Sequence, residues 1–283
     1  MTLSTLRPIG LILCGALAAL AVSGAAAQDE GPPDPTLPVT ETVARYAVGA
    51  SIVSSPSYSG ADRQQLRLAP MWAFHWGRLR LSTGPAGGLL RDEEDAASGA
   101  SAELFKSPTL ALNASLRFDK GRMSSSDPAL EGLADVRRTL RLRLGSRLKL
   151  TPQWRLNLTA TQDLLGRRSG GTAAIDLAYA GRFTPTTTWS AGAGLTLADA
   201  TYMAARFGVP RAAALPDRPA FDAGGGLRDA HAGLGLASAL GPHLVLFANL
   251  SASRLLQDAA ASPLSHRNFS ALGSVGLAWR CCQ

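Results

Sequence analysis

Apolar and polar residues alternate one by one along much of this chain. In "LRLRLGSRLKL" (140–150), Leu140, Leu142, Leu144, Leu148 and Leu150 alternate with Arg141, Arg143, Arg147 and Lys149. A helix would scatter both kinds around its whole circumference, whereas a strand sorts the leucines to one face and the cations to the other. The same period of two returns elsewhere. Tyr46, Val48, Ala50 and Ile52 share a face over 44–52, as do Leu66, Leu68, Trp72, Phe74 and Trp76 over 65–76, and Leu110, Leu112, Leu116 and Phe118 over 109–118. Further rows begin at Trp154, Ile175, Trp189, Leu234, Leu244 and Phe269; in the row from Leu244, Val245 and Phe247 blur the polar face.

The segments run ~9–12 residues, the length of a tilted membrane-spanning strand, whereas soluble sandwiches use strands of ~5–6. Short connections ("WGR" 76–78, "TPQ" 151–153, "TPTTT" 184–188, "GPH" 241–243) alternate with long ones (119–138, 199–228, 257–267). The pattern predicts an all-β fold: a closed antiparallel transmembrane β-barrel of the bacterial outer membrane, with leucines toward lipid and cations toward a watery lumen. Eleven segments can be counted, with "LRLSTGPAGGLLR" (79–91) the least regular. Single-chain barrels use even numbers, so twelve strands are expected, or ten, with the miscount before residue 118. Trp76, Phe118, Trp154, Phe183, Trp189 and Trp279 lie at segment ends, as two interfacial girdles would require.

Composition adds an address. Residues 1–27 read as a signal peptide: Arg7, an apolar run from Ile9 to Val22, and small residues Ala25, Ala26 and Ala27 before Gln28. Residues 28–42 form a proline-rich linker, leaving 43–283 for the barrel. The formal charge of +7 falls to about +6 once Arg7 is removed. The remaining cysteines, Cys281 and Cys282, are adjacent and staple nothing distant.

No catalytic constellation stands out, so the chain is read as non-enzymatic. The four histidines are scattered; His75 and His231 are expected as solvated lumen residues. No spacing suits a metal, no cofactor motif is present, and no basic-aromatic platform suits nucleic acid. "DEED" (92–95) reads as a solvated loop run. The candidate site is the lumen cluster Arg141, Arg143, Arg147, Lys149 and Arg155, extended by Arg67, Arg117 and Arg182, with only Asp163 and Asp176 clearly opposing it. It fits either a narrow anion-preferring porin-like channel or a lumen plugged by arginine–carboxylate networks drawing on acidic outer loops; the modest width of such a barrel favours the plug.

Several ordered stretches resemble the MipA/OmpV family of MltA-interacting outer-membrane proteins. "PSYSGAD" (56–62) resembles its Tyr-x-Gly-Ser-Asp element through Tyr58, Gly60 and Asp62, with Ala61 in place of serine. "GRMSSSDPALEGLADV" (121–136) resembles a second element. "LADATYMAARFGVP" (197–210) carries Phe207 and Gly208, "FDAGGGLRDA" (221–230) carries Gly224 and Gly225, and "RLLQDAAASPL" (254–264) carries Ser262 and Pro263. The resemblance implies an outer-membrane barrel inserted by the barrel-assembly machinery. For some members it implies a scaffold joining a lytic transglycosylase to a penicillin-binding protein. The family ends in an aromatic residue; here "GLAWRCCQ" has Trp279 followed by four more residues.

Overall fold

The computed structural model describes residues 45–83 and 99–281. The signal peptide, the linker and the acidic run 92–95 therefore lie outside the described residues. Twelve strands follow in order: β1 (Arg45–Pro56), β2 (Gln64–Trp76), β3 (Leu79–Ser82), β4 (Gly99–Lys106), β5 (Leu110–Asp119), β6 (Thr139–Lys149), β7 (Trp154–Asp163), β8 (Gly171–Arg182), β9 (Thr187–Ala198), β10 (Gly226–Ala239), β11 (Leu244–Leu255) and β12 (Phe269–Cys281). Each pairs antiparallel with its sequence neighbours. β1 closes the ring by pairing β12, with Val48 opposite Trp279 and Ile52 opposite Val275. Closure gives every strand two partners, which a sheet in hydrocarbon requires.

The expected number of strands is met, and the strand missed by counting is β4. Its register shifts between Glu103 and Phe105, leaving Leu104 and Phe105 both exposed and the alternation broken. β3 is described only as far as Ser82, so the irregular segment 79–91 contributes four described strand residues.

The faces fall as the periodicity predicts. On β6, Leu144 and Leu148 point outward while Arg141 is buried inside. Neighbouring strands match it: Leu142 stands opposite Leu116 and Arg141 opposite Arg117. One sector departs from a polar lumen. Val245 and Phe247 face inward with Ala47, Met71, Ala73 and Ala278, forming an apolar cluster on β1, β2, β11 and β12.

The connections after β2, β4, β6, β8 and β10 are tight turns at one end, the end where β1 begins and β12 finishes. The longer loops stand at the other end. The connection from β9 to β10 contains helix α1 (Ala200–Phe207), and that from β11 to β12 contains α2 (Gln257–Ala261). Among the described residues no helix is long and apolar enough to cross a membrane. Instead of two girdles, the aromatics favour the turn end. There Tyr46 lies 5.7 Å from Trp279, and Tyr179 lies 5.1 Å from Trp154 and 5.2 Å from Trp189, which stacks on Phe183 at 5.6 Å. At the loop end Phe118 and Phe269 stand exposed at the edges of β5 and β12.

Depth should therefore decide the cost of a charge on the outer face. Leu144→Arg, in the middle of β6, should cost about 2–4 kcal/mol, and Leu150→Arg, at the turn, about 0–1 kcal/mol. Arg143→Gln, on the inner face, should fold normally. Heat-modifiable gel mobility after refolding into bilayers reads all three; equal damage from the two leucine changes would contradict the assigned depths.

Candidate functional site

The five predicted cations are not one cluster. They form a column along the inner wall of β6 and β7, and Arg141 stands eight residues, about 26 Å, from Lys149. Asp163 and Asp176 do not serve as their partners. Asp163 accepts from the Thr139 hydroxyl and from the backbone N–H groups of Leu165 and Ser169, and so fastens the loop after β7. Asp176 accepts from His231.

At the loop end, Arg141 belongs to a knot that the sequence did not reveal. Its guanidinium donates to Asp119 at 3.2 Å and to the Gly170 carbonyl at 3.2 Å. Asp119 also binds Arg206 of α1 at 2.7 Å. The Tyr202 ring of α1 sits among Arg141, Arg206 and Arg228, with guanidinium carbons 5.4, 5.1 and 5.4 Å from its centre, an arrangement worth roughly 0.5–2 kcal/mol per pair. Arg228 also donates to the Tyr202 hydroxyl at 2.8 Å and pairs with Asp229. The register between β9 and β10 shifts between Leu227 and Asp229, making Arg228 the extra residue. A bulge re-aims its side chain, which is how two adjacent residues can meet.

Asp229 continues the network into the lumen. His231 lies between two carboxylates, with Nε2 at 2.6 Å from Asp176 and Nδ1 at 3.0 Å from Asp229. A carboxylate only accepts, so both ring nitrogens can be satisfied only by donating. His231 is thus a bridge across β8 and β10 rather than the expected solvated residue, and with both nitrogens engaged it offers no base to a serine. Beside it lies a cavity of about 380 Å³ lined by Thr196, Arg228, Asp229, His231, Ser253 and Ser270. Among the described residues no group of side chains could hold a metal ion.

The family-motif positions build the cap over this end. Asp199 caps α1, accepting from Tyr202 N–H at 2.6 Å, and accepts from Gly171 N–H at 2.7 Å, which ties the helix to β8. Met203 and Phe207 are fully buried against Leu255 and Ala259; removing such side chains from water is worth about 1.5–3 kcal/mol each. Gly208 ends the helix, and Ser262 donates to the Phe207 carbonyl at 2.6 Å. Leu130, Leu133, Val209 and Leu264 form a second apolar cluster, against which Tyr58 packs. Gly60 has φ +96° and lies so close to Ser265 that a Cβ there would come within 2.9 Å. Gly224 N–H donates to Asp258 at 2.7 Å, Gly225 passes close to Ala200, and Pro263 is half-buried between Ser262 and Leu264. Asp62 stays exposed. Arg218, buried, donates to the carbonyls of Ala129, Glu131 and Ala213 and clamps two loops together.

Two groups of the cap have acidities displaced far from their ordinary values. Burial, reinforced by Asp127 and Asp62, pushes the Tyr58 phenol up to about 12. Burial and the nearby Arg206 bring Arg122 down to about 10.

The turn end has a different character. Arg45, Arg78, Lys106, Lys149 and Arg182 stand there, all but Arg45 exposed. Among the described residues the only carboxylate at this end is Glu103, which pairs with Lys106 at 3.5 Å. A cavity of about 160 Å³, lined in part by His75, Arg80, Asn113, Arg147 and Lys149, opens here. The cap and this basic face both escaped the sequence reading; the signal for the second was that every turn lacks an acid.

A closed ring of strands with an aliphatic exterior and a polar, charged interior defines a transmembrane β-barrel of the outer-membrane type. A family profile described as "MltA-interacting protein MipA" matches residues 48–281, and the chain belongs to that family. Among solved structures, the KdgM porin aligns with 82% of this chain and 98% of its own at 9% identity and TM-score 0.40. The NanC porin aligns with 84% and 100% at 8% identity and TM-score 0.39. OmpT of Vibrio cholerae aligns with 84% and 97% at 9% identity and TM-score 0.39. A search of curated protein sequences found no match.

Two measurements check the site. A Cβ on Gly194 would collide with Asp176 and come within 2.7 Å of His231 Nε2. Gly194→Ala should therefore break the Asp176–His231 bond and lower stability by about 1–3 kcal/mol, while Gly233→Ala, whose Cβ would meet its nearest atom at 3.6 Å, should be mild. Denaturant unfolding of both variants compares them. Tyr58 donates to the Leu264 carbonyl at 3.1 Å as the neutral phenol. With its folded pKa above the ordinary 10, its contribution is complete below pH 10 and is lost as pH rises through about 12. Ultraviolet phenolate titration of the parent minus Tyr58→Phe should show one late-titrating tyrosine near 12; a difference near 10 would remove the argument.

Proposed function

We propose that this barrel is a non-enzymatic scaffold that holds murein-synthesising and murein-hydrolysing enzymes at the periplasmic side of the outer membrane. The observation that carries the reading is the basic turn end. In single-chain barrels the short turns and both termini face the periplasm, so Arg78, Lys106, Lys149 and Arg182 are presented to that compartment. Short turns offer no large platform, but a ring of cations attracts and orients an acidic surface of a partner. The family description, an MltA-interacting protein, supports a lytic transglycosylase as one partner; a penicillin-binding protein is the second partner of the proposed scaffold. The knotted cap also supports a holding role over an open conduit.

A narrow anion-preferring channel is the second reading. In its favour is the inward column of Arg117, Arg143 and Arg147.

One experiment in two arms separates them. Detergent-solubilised protein used as bait on native membranes should retain a transglycosylase or a penicillin-binding protein. Retention should fall about tenfold or more with Lys106→Glu, Lys149→Glu and Arg182→Glu combined. Recovery of other barrel proteins without either enzyme, or retention indifferent to the charge reversal, would defeat the scaffold. In planar bilayers the scaffold gives no steady conductance. An anion-selective current abolished by Arg141→Ala with Arg143→Ala would establish the channel instead.

A further inference from the structure

A second basic surface lies at the opposite end of the barrel and faces sideways rather than along its axis. The register of β5 and β6 sets Asp119 opposite Thr139, with both inside. Alternation then turns the next residues, Lys120 and Arg138, outward and opposite one another. The Leu164 N–H donates to the Leu140 carbonyl at 2.9 Å, which brings the loop after β7, with Arg167 and Arg168, beside Arg138. Arg137, next to Arg138, brings the exposed cations at the feet of these two neighbouring loops to five, although alternation turns it away from the outward face.

None of these five side chains forms a hydrogen bond or an ion pair among the described residues. The adjacent carboxylates are engaged elsewhere. Asp119 faces inward and holds Arg141 and Arg206. Asp163 is occupied by Thr139 and the loop after β7. Asp135, which is exposed, accepts from the Ser124 N–H at 2.7 Å. Arg168 adopts φ +59°, a left-handed conformation that glycine would take at less cost.

What lies directly below these cations decides what they bind. Phe118, Leu164 and Leu165 are 64%, 47% and 53% exposed, with outward-facing Leu140 among them. These side chains belong to the apolar exterior, so the cations stand at the level where hydrocarbon gives way to headgroups. Anionic groups found at that depth and on that side are the phosphates of the outer leaflet's glycolipid. We infer that Lys120, Arg138, Arg167 and Arg168 form a lateral binding site for a phosphate-bearing glycolipid, whose acyl chains lie along Phe118, Leu140 and Leu164. Guanidinium groups suit this ligand because they grip phosphate oxygens in pairs. The site is independent of the turn-end face, because it uses different strand ends and the other leaflet.

The test titrates full-length detergent-solubilised barrel with diphosphorylated lipid A and counts bound lipid by native mass spectrometry. The parent should bind with an affinity that weakens as salt rises. Lys120→Ser, Arg138→Ser and Arg168→Ser combined should weaken binding roughly a hundredfold at low ionic strength. The charge-keeping set Lys120→Arg, Arg138→Lys and Arg168→Lys should retain most of it. A serine variant that binds like the parent would overturn the proposal, as would equal loss in the charge-keeping set. Displacement of the lipid by millimolar inorganic phosphate would overturn the glycolipid assignment in favour of a free-phosphate site.

Discussion

Hydrocarbon offers no partner for a backbone N–H or C=O, and each such group that enters it must be paired by another strand. The rest of the architecture follows from that requirement. β1 must meet β12, and because that closing pair is antiparallel like the others, the strands are even in number and both ends of the ring fall on the same side. Once the ring closes, every side chain has one of two destinations, lipid or lumen, and the period of two in the sequence becomes a map of solvents.

Beyond the ends of the strands the constraint lapses, and the loops are held by other means. On the loop side they fold on one another around two apolar clusters and a knot of charge. The knot has no single ion pair at its centre. Tyr202 is shared by three guanidinium groups, Asp119 by two, and Asp229 by Arg228, Thr196 and His231. Such sharing couples α1 to β5, β6 and β10, so that the helix and the barrel rim form one unit. Among the described residues the turn side has no comparable loop structure, and its cations stand exposed there.

The barrel was legible in the sequence because its signal is local: a leucine facing lipid is followed by a residue facing water. It faded where that rule is broken, at the bulge of β4, and where a side chain faces inward without being polar, as Phe247 does. The cap was not legible as structure. Its bonds join residues far apart along the chain, such as Ser57 to Asp127 and Tyr58 to Leu264, and no periodicity encodes such meetings. The family motifs marked the positions involved without saying that they pack loops rather than perform chemistry. Alternation put the five lumen cations on one face, but a face is long, and alternation carries no information on whether residues along it gather or spread.

The uneven distribution of aromatic side chains has a mechanical consequence. Indole and phenol groups favour the headgroup boundary and resist leaving it, so a cluster of them fixes a protein's height relative to that boundary. Here Tyr46, Trp154, Tyr179, Trp189 and Trp279 fix the turn-side boundary, while the loop-side one has Phe118 and Phe269, which carry no polar tip. The turn-side leaflet is therefore the datum from which the protein's vertical position is set. When the bilayer thickens or thins, the barrel keeps its tight turns at constant height and takes up the mismatch at the loop end.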